Sequence, residues 1–202
     1  MRIAVLANDD QWKEINTGIG HVDYFRMNSI RNIPAGVEAY LLLQDVVEWD
    51  FEITSNPVLI NAVSFTLTDI KAAANVVRIN GWNGFLSRSA WEMAGSNDNS
   101  VKRVFAALGK QIIQVPDEPG FVSARVIAMI INEAYFALED KISSREEIDI
   151  AMKLGTNYPY GPFEWASIIG VDKIFALLQK LYKHDTRYLP ANLLKAAATA
   201  WV

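Results

Sequence analysis

The hydrophobic period of this chain changes once, near Glu118, and that switch confines it to two unlike layers. Before Glu118, short apolar runs rich in β-branched residues recur at Ile3 to Ala7, Val22 to Met27, Ala39 to Leu43, Val58 to Val63, Val76 to Ile79 and Ile112 to Val115. Brief polar or helical connections separate them, which is the pattern of a buried parallel sheet. A helix over Asn99 to Leu108, capped by Asp98 or Asn99 and stopped by Gly109, gives the strand, helix, strand alternation of a Rossmann-like layer.

After Glu118 the period is helical. Val122, Val126 and Met129 form one stripe, and Ile127, Ile130, Ile131, Ala134 and Leu138 another. A helix apolar over so much of its girth is predicted to lie buried at the centre of an all-α unit. Ile174, Leu177, Leu178, Leu181 and Tyr182 predict a second helix with one buried stripe, and Lys173, Lys180 and Lys183 fall outside it. Ser144 with Glu147 reads as a capping box, Gly155 as a helix stop and Gly161-Pro162 as a helix start. A last helix is predicted from Pro190 to about Trp201. The expected fold class is α/β plus all-α, with one domain over 1–117 and another over 118–202. A complete six-stranded dinucleotide fold needs more than 117 residues, so the first domain is expected to be a shortened parallel sheet.

Composition narrows the function. With 51% hydrophobic and 21% charged residues over 202 positions, the chain is expected to bury a core as a globular protein. Its net charge of −4 and its scattered 19 basic residues argue against a nucleic-acid-binding face. The chain has no cysteine, which excludes disulfides, thiolate metal sites and a cysteine nucleophile. No metal-ligand spacing and no Gly-x-Ser-x-Gly elbow occurs. The opening apolar run is too short for a signal peptide and no segment reaches the length of a membrane span, so a cytoplasmic location is expected.

Several motifs of the second half carry a resemblance. Pro119-Gly120-Phe121 running to Arg125, Asn132-Glu133-Ala134, Glu147-Ile148-Asp149, Ala151-Met152-Lys153-Leu154-Gly155 and Tyr158-Pro159-Tyr160-Gly161-Pro162-Phe163-Glu164 match in order and spacing. Together they resemble the C-terminal domain of 3-hydroxyacyl-CoA dehydrogenases over about residues 109 to 190. The resemblance implies a helical dimerisation domain of the 6-phosphogluconate dehydrogenase C-terminal-like type. It also implies a homodimer through the C-terminal helices, a cleft that holds acyl-CoA against NAD, and a place in fatty acid metabolism.

The resemblance also locates a catalytic stretch. The family's His-x-x-Asn-Pro segment is matched by Asn80-Gly81-Trp82-Asn83-Gly84, with Glu92 at the distance of the carboxylate that orients the histidine. Asn83 and Glu92 agree with the pattern, whereas Asn80 stands in the histidine's place. A carboxamide does not take a proton near neutral pH, so general-base help of about 10²- to 10⁴-fold is forfeited there. The family's substrate-contacting positions fall at Ser55 in Ser55-Asn56-Pro57-Val58, at Ala124 and at Arg125. Ala124 replaces an asparagine.

The cofactor contacts are missing as well. A dinucleotide fold places glycines directly after its first strand so that the backbone can approach the pyrophosphate. Here the first strand runs into Asn8-Asp9-Asp10-Gln11-Trp12, whose two acids read as helix caps. Gly18-Ile19-Gly20 comes after the helix and reads as a turn, and the second strand ends Tyr24-Phe25-Arg26-Met27 without the acid that accepts ribose hydroxyls. No bound cofactor is expected. His21 and His184 read as surface or capping residues, Glu92 as a solvated carboxylate on a loop or a partner of Asn80 or Arg88, and Arg125 and Glu164 as structural ties. Trp82, Phe85, Trp91, Tyr158, Tyr160, Phe163 and Trp165 read as core or as the lining of a cleft. Three functions stay open: an active NAD-dependent oxidoreductase, a dehydrogenase-derived dimer without turnover that keeps a ligand cleft, and a non-catalytic interaction protein.

Overall fold

The computed structural model describes residues 1–16, 22–29, 35–44 and 55–200. Its contacts divide the chain into two compact units, Met1–Phe121 and Val122–Val202. The strands of the first unit are β1 (Arg2–Leu6), β2 (Asp23–Met27), β3 (Ala39–Leu42), β4 (Val58–Asn61), β5 (Val76–Ile79), β6 (Ala90–Ala94) and β7 (Gln111–Gln114). They form one sheet in the order β2-β1-β3-β4-β5-β6-β7. The first five pair in parallel, β6 runs antiparallel to β5, and β7 is parallel to β6.

The order of the five parallel strands reproduces the 2-1-4-5-6 portion of the doubly wound arrangement, and among the described residues no strand lies outside β2. Two of the described connections carry no helix. Residues 62–75 and 80–89 cross between strands as turns, while α1 (Asp9–Ile15) and α2 (Asn99–Ala107) supply the helical cover. On one face Ile3, Val5, Leu41, Leu59, Val77, Ile79, Trp91 and Met93 meet Ile15 of α1 and Val101, Val104 and Phe105 of α2. On the other, Leu6, Tyr40, Leu42, Val58, Ile60 and Val76 are packed by Leu67, Ile70 and Ala72 from the helix-free connection.

Strand β6 was not expected. Its sequence Ala90-Trp91-Glu92-Met93-Ala94 is buried along nearly its whole length, so it shows no alternation, and a carboxylate interrupts its apolar run. The cap of α2 is Asp98, whose carboxylate accepts N–H groups from Ser100 at 2.8 Å and Val101 at 3.0 Å. The Ser100 hydroxyl first, and then those backbone donors, hold its pKa down to about 2. Its contribution to stability is therefore complete above the ordinary carboxylate value and is lost as pH falls through about 2.

The second unit contains α3 (Ser123–Glu139), α4 (Arg145–Thr156), α5 (Pro162–Ile169), α6 (Val171–Tyr182), a 3-10 turn (Thr186–Tyr188) and α7 (Asn192–Thr199). Helix α3 buries Ala124, Ile127, Ala128, Ile131, Ala134 and Tyr135 and packs against α5, α6 and α7. Only one of its two predicted stripes is core: Val122 is 58% exposed and Val126 51% exposed. On α6, Ile174, Leu177, Leu178 and Leu181 are buried as predicted, but Tyr182 turns outward. Helix α4 passes through Gly155 and stops at Asn157, which adopts the left-handed conformation at φ 55°. Asparagine tolerates that region, so it serves as the stop that the sequence assigns to glycine.

The family motifs resolve into a clasp between α4 and α5. The Asp149 carboxylate accepts the N–H groups of Phe163 at 2.8 Å and Glu164 at 3.2 Å, capping α5 from its neighbour. Gly161 is required there, because a Cβ would come within 2.3 Å of Asp149 Cγ. Glu164 accepts the Gly161 N–H at 2.9 Å and pairs with Lys153, and the lysine's hydrogen bond is the main cause that holds its carboxyl below the usual range. Asn132, also buried, donates to Leu189 O at 2.9 Å and accepts Ala191 N–H at 2.9 Å, tying α3 to the start of α7.

Two glycine substitutions are expected to part in sign. Gly161→Ala places its methyl on Asp149 and should destabilise the protein by about 2 kcal/mol or more. Gly155→Ala meets no atom within 4 Å in a helical turn and should stabilise it by up to about 1 kcal/mol. Urea denaturation of both variants measures the difference.

Candidate functional site

The C-terminal ends of β1, β3, β4 and β5 converge on a set of amide side chains. Helix α1 begins directly after β1 because Asn8 caps it: Asn8 Oδ1 accepts the Gln11 N–H at 2.8 Å, and Gln11 Oε1 accepts the Asn8 N–H at 3.0 Å. The cap is thus Asn8, not the two acids, which stand in the first turn. Gln11 is wholly buried, and its Nε2 donates to Leu43 O at 2.7 Å and to Gly81 O at 3.0 Å. Asn61, at the end of β4, completes the circuit by donating to Leu43 O at 2.8 Å and accepting the Gly81 N–H at 3.1 Å. A Cβ on residue 81 would lie 2.8 Å from Asn61 Cβ, so a glycine is needed for this approach.

Asn80 leaves β5 beside that circuit and faces Glu92 on β6. Its Nδ2 donates to Glu92 Oε2 at 3.5 Å, its backbone N–H reaches Glu92 O at 3.4 Å, and its Oδ1 accepts the Trp82 N–H at 3.4 Å. Asn80 is 3% exposed and Glu92 8% exposed. Glu92 is therefore not a solvated loop carboxylate. It sits in a strand that the sequence did not reveal, and the antiparallel pairing of β5 with β6 brings it across from Asn80. Asn83 accepts a hydrogen bond from Asn8 Nδ2 at 3.4 Å, joining the β5 loop to the α1 cap.

The loop after Asn83 is held by Glu14, a residue the sequence gave no reason to single out. Its carboxylate accepts N–H groups from Gly84 at 2.6 Å, Leu86 at 2.9 Å and Ser87 at 3.2 Å. At the mouth of β1, Arg26 donates to Asp9 at 2.6 Å and to Ala7 O at 3.2 Å, and lies over the Trp12 ring at 5.3 Å. Arg26 pulls the Asp9 carboxyl below the ordinary aspartate value, first by its hydrogen bond and then by its charge.

Asn80, Asn83 and Glu92 are thus brought together in the sheet unit, and the substrate-type positions are divided between the two units. Ser55 is exposed at the approach to β4, Ala124 is fully buried in the core of α3, and Arg125 lies over the Tyr188 ring at 5.9 Å in the helical unit. Trp82, Phe85, Trp91, Phe163 and Trp165 are buried core, whereas Tyr160 is exposed. His184 is exposed just past α6. Gly18-Ile19-Gly20 and His21 lie outside the described residues. Among the described residues no group of three or more His, Cys, Asp or Glu side chains could hold a metal ion, and no helix is long and apolar enough to cross a membrane.

Comparison with known proteins agrees with this division. The family model of the 3-hydroxyacyl-CoA dehydrogenase C-terminal domain matches residues 120–200. A 3-hydroxyadipyl-CoA dehydrogenase from Escherichia coli is 46% identical over 92 residues, covering 45% of this chain and 19% of that protein. A 3-hydroxybutyryl-CoA dehydrogenase from Bradyrhizobium diazoefficiens is 38% identical over 104 residues, 50% of this chain and 36% of that one. The chain therefore spans about a fifth to a third of the length of these curated relatives. The crystal structure of an (S)-3-hydroxybutyryl-CoA dehydrogenase from Ralstonia eutropha superposes with a TM-score of 0.72 at 20% identity, over 99% of this chain and 94% of that one, which establishes likeness of fold.

Asn80→Asp tests the pairing at the strand ends. A second carboxylate facing Glu92 cannot ionise freely beside it, so one of the pair is raised above the ordinary carboxylate range. A raised folded-state pKa favours the protein at low pH, and the advantage is lost as pH rises through that value. The variant should be about 1–3 kcal/mol less stable than the parent at pH 7, and the gap should close toward pH 4. Denaturation midpoints of both proteins across that range read the effect.

Proposed function

We propose that this chain, whose residues 120–200 match the model of the 3-hydroxyacyl-CoA dehydrogenase C-terminal domain, is a dehydrogenase-derived scaffold that has lost hydride transfer while keeping acyl-CoA recognition and self-pairing. The observation that carries this reading is Asn80. It faces the buried Glu92 as the family's histidine would, so the carboxylate that should orient a proton acceptor instead binds a carboxamide. Neither nitrogen nor oxygen of an amide takes the hydroxyl proton that must depart as hydride leaves a 3-hydroxyacyl group.

The turn after β1 supports the same reading. A pyrophosphate needs free backbone donors and room close to the chain. Here the Gln11 N–H is engaged by Asn8, Asp9 and Asp10 bring two negative charges, and Arg26 is spent on Asp9 and Ala7 O. These residues do not fit a dinucleotide, and no step through NAD follows from them. The helical unit, by contrast, retains the clasp built on Asp149, Gly161 and Glu164. It also presents apolar side chains outward along α4 and the turn before it, with Ile142 73% exposed and Leu154 84% exposed. Such a face suits a homodimer contact. The family's chemistry on acyl thioesters favours a cytoplasmic acyl-CoA as the ligand.

Two measurements test the proposal. NADH titration followed by nicotinamide fluorescence should give no saturable binding at millimolar concentration, whereas acetoacetyl-CoA should raise the melting temperature. Asn80→His should leave NAD-dependent oxidation of 3-hydroxybutyryl-CoA at background, because the base alone does not restore the cofactor's place; turnover by the parent chain would sink the reading. In sedimentation, the parent should run as a dimer and Leu154→Glu as a monomer, and a monomeric parent would remove the self-pairing part.

A further inference from the structure

One buried charge belongs neither to the amide circuit nor to the Asn80–Glu92 pair. Arg78 lies in β5 between Val77 and Ile79 and is 0% exposed. A guanidinium in that position costs several kcal/mol unless its donors are matched and its charge is opposed. Its Nε donates to Ala62 O at 2.9 Å, its Nη2 donates to Val63 O and Glu118 O, each at 3.3 Å, and its Nη1 pairs with Asp117. The Phe121 ring lies 4.6 Å from its carbon centre. Burial pulls its pKa below the ordinary arginine value, against the opposing pull of Asp117.

Three of those partners, Asp117, Glu118 and Phe121, fall within five residues at the end of the sheet unit. Asp117 also accepts the Leu67 N–H at 2.9 Å and 3.2 Å through its two oxygens, and Gly120 donates to Val63 O at 2.7 Å. The backbone there is unusual. Gly120 has φ 87°, and Phe121, a residue with a bulky side chain, has φ 50°. A non-glycine residue persists in that region only where its surroundings hold it. Arg78 and the bonds around it are the visible means of holding.

We infer that Arg78 and Asp117 form a latch that keeps Pro119-Gly120-Phe121 in a strained turn against the ends of β4 and β5, and that this turn opens locally when the latch is broken. The inference is independent of the reading of Asn80, since it concerns neither the cofactor nor turnover. It assigns a conformational role to the Pro-Gly-Phe motif, whose side of the contact is invisible in the sequence. It also joins that motif to the loop covering the sheet, because Leu67 packs on the sheet and its N–H is held by the same carboxylate.

Amide hydrogen exchange followed by NMR tests the latch. In Asp117→Ala, exchange of the Gly120 and Leu67 amides should accelerate at least tenfold while the Val5 and Leu41 amides in the centre of the sheet keep their parent rates. Asp117→Asn keeps an acceptor but no charge and should fall between the two. Arg78→Met, if it folds, should match Asp117→Ala. Unchanged Gly120 exchange in Asp117→Ala would overturn the inference, and so would equal acceleration of every core amide, which would make the pair a contributor to global stability rather than a local latch.

Discussion

A polar group taken out of water must find a partner inside the protein, and the crowded ends of the central strands are where this chain meets that demand. Four strands stop within reach of one another, each with backbone groups that the ladder no longer serves. Gln11 and Asn61 satisfy the Leu43 and Gly81 groups, and Asn8 satisfies Gln11 in turn. Removing any one amide would leave the others with donors or acceptors and no water. The circuit therefore fixes the end of β5, and with it the direction in which Asn80 leaves the strand.

That arrangement bears directly on chemistry. In an open α/β sheet this edge is where ligands are received, at the point where strand order reverses. Here the side chains at the edge are amides bonded to one another, and Glu92 faces a carboxamide. The same atoms stabilise the ends of the strands.

The helical unit follows a different logic. Its motifs close gaps between helices. Asp149 caps a helix that is not its own, Gly161 is small because Asp149 is there, and Glu164 returns to the N–H of Gly161. A relative can share these residues without sharing turnover, since each is required by packing alone. This accounts for high similarity in the second half of the chain beside a first half whose likeness is one of fold.

Much of this was readable from the chain itself. The change of period at Glu118, the cap at Asp98, the capping box at Ser144 and Glu147, and the core of α6 at Ile174, Leu177, Leu178 and Leu181 depend on local spacing, and local spacing is what a sequence states. The carboxamide at Asn80 was equally legible, because it is a matter of residue type. Strand β6, the outward turn of Val122 and Val126, the use of Asn157 rather than Gly155, and the grip of Arg78 on Asp117 were decided only by the tertiary structure. The physical reason is common to all four: each depends on which groups distant in the chain come within a few ångströms, and no periodicity records that. Sequence determined the elements whose signals are local and the residue type at position 80; three-dimensional packing determined that Glu92 is buried against Asn80 and that the amides at the strand ends bond to one another.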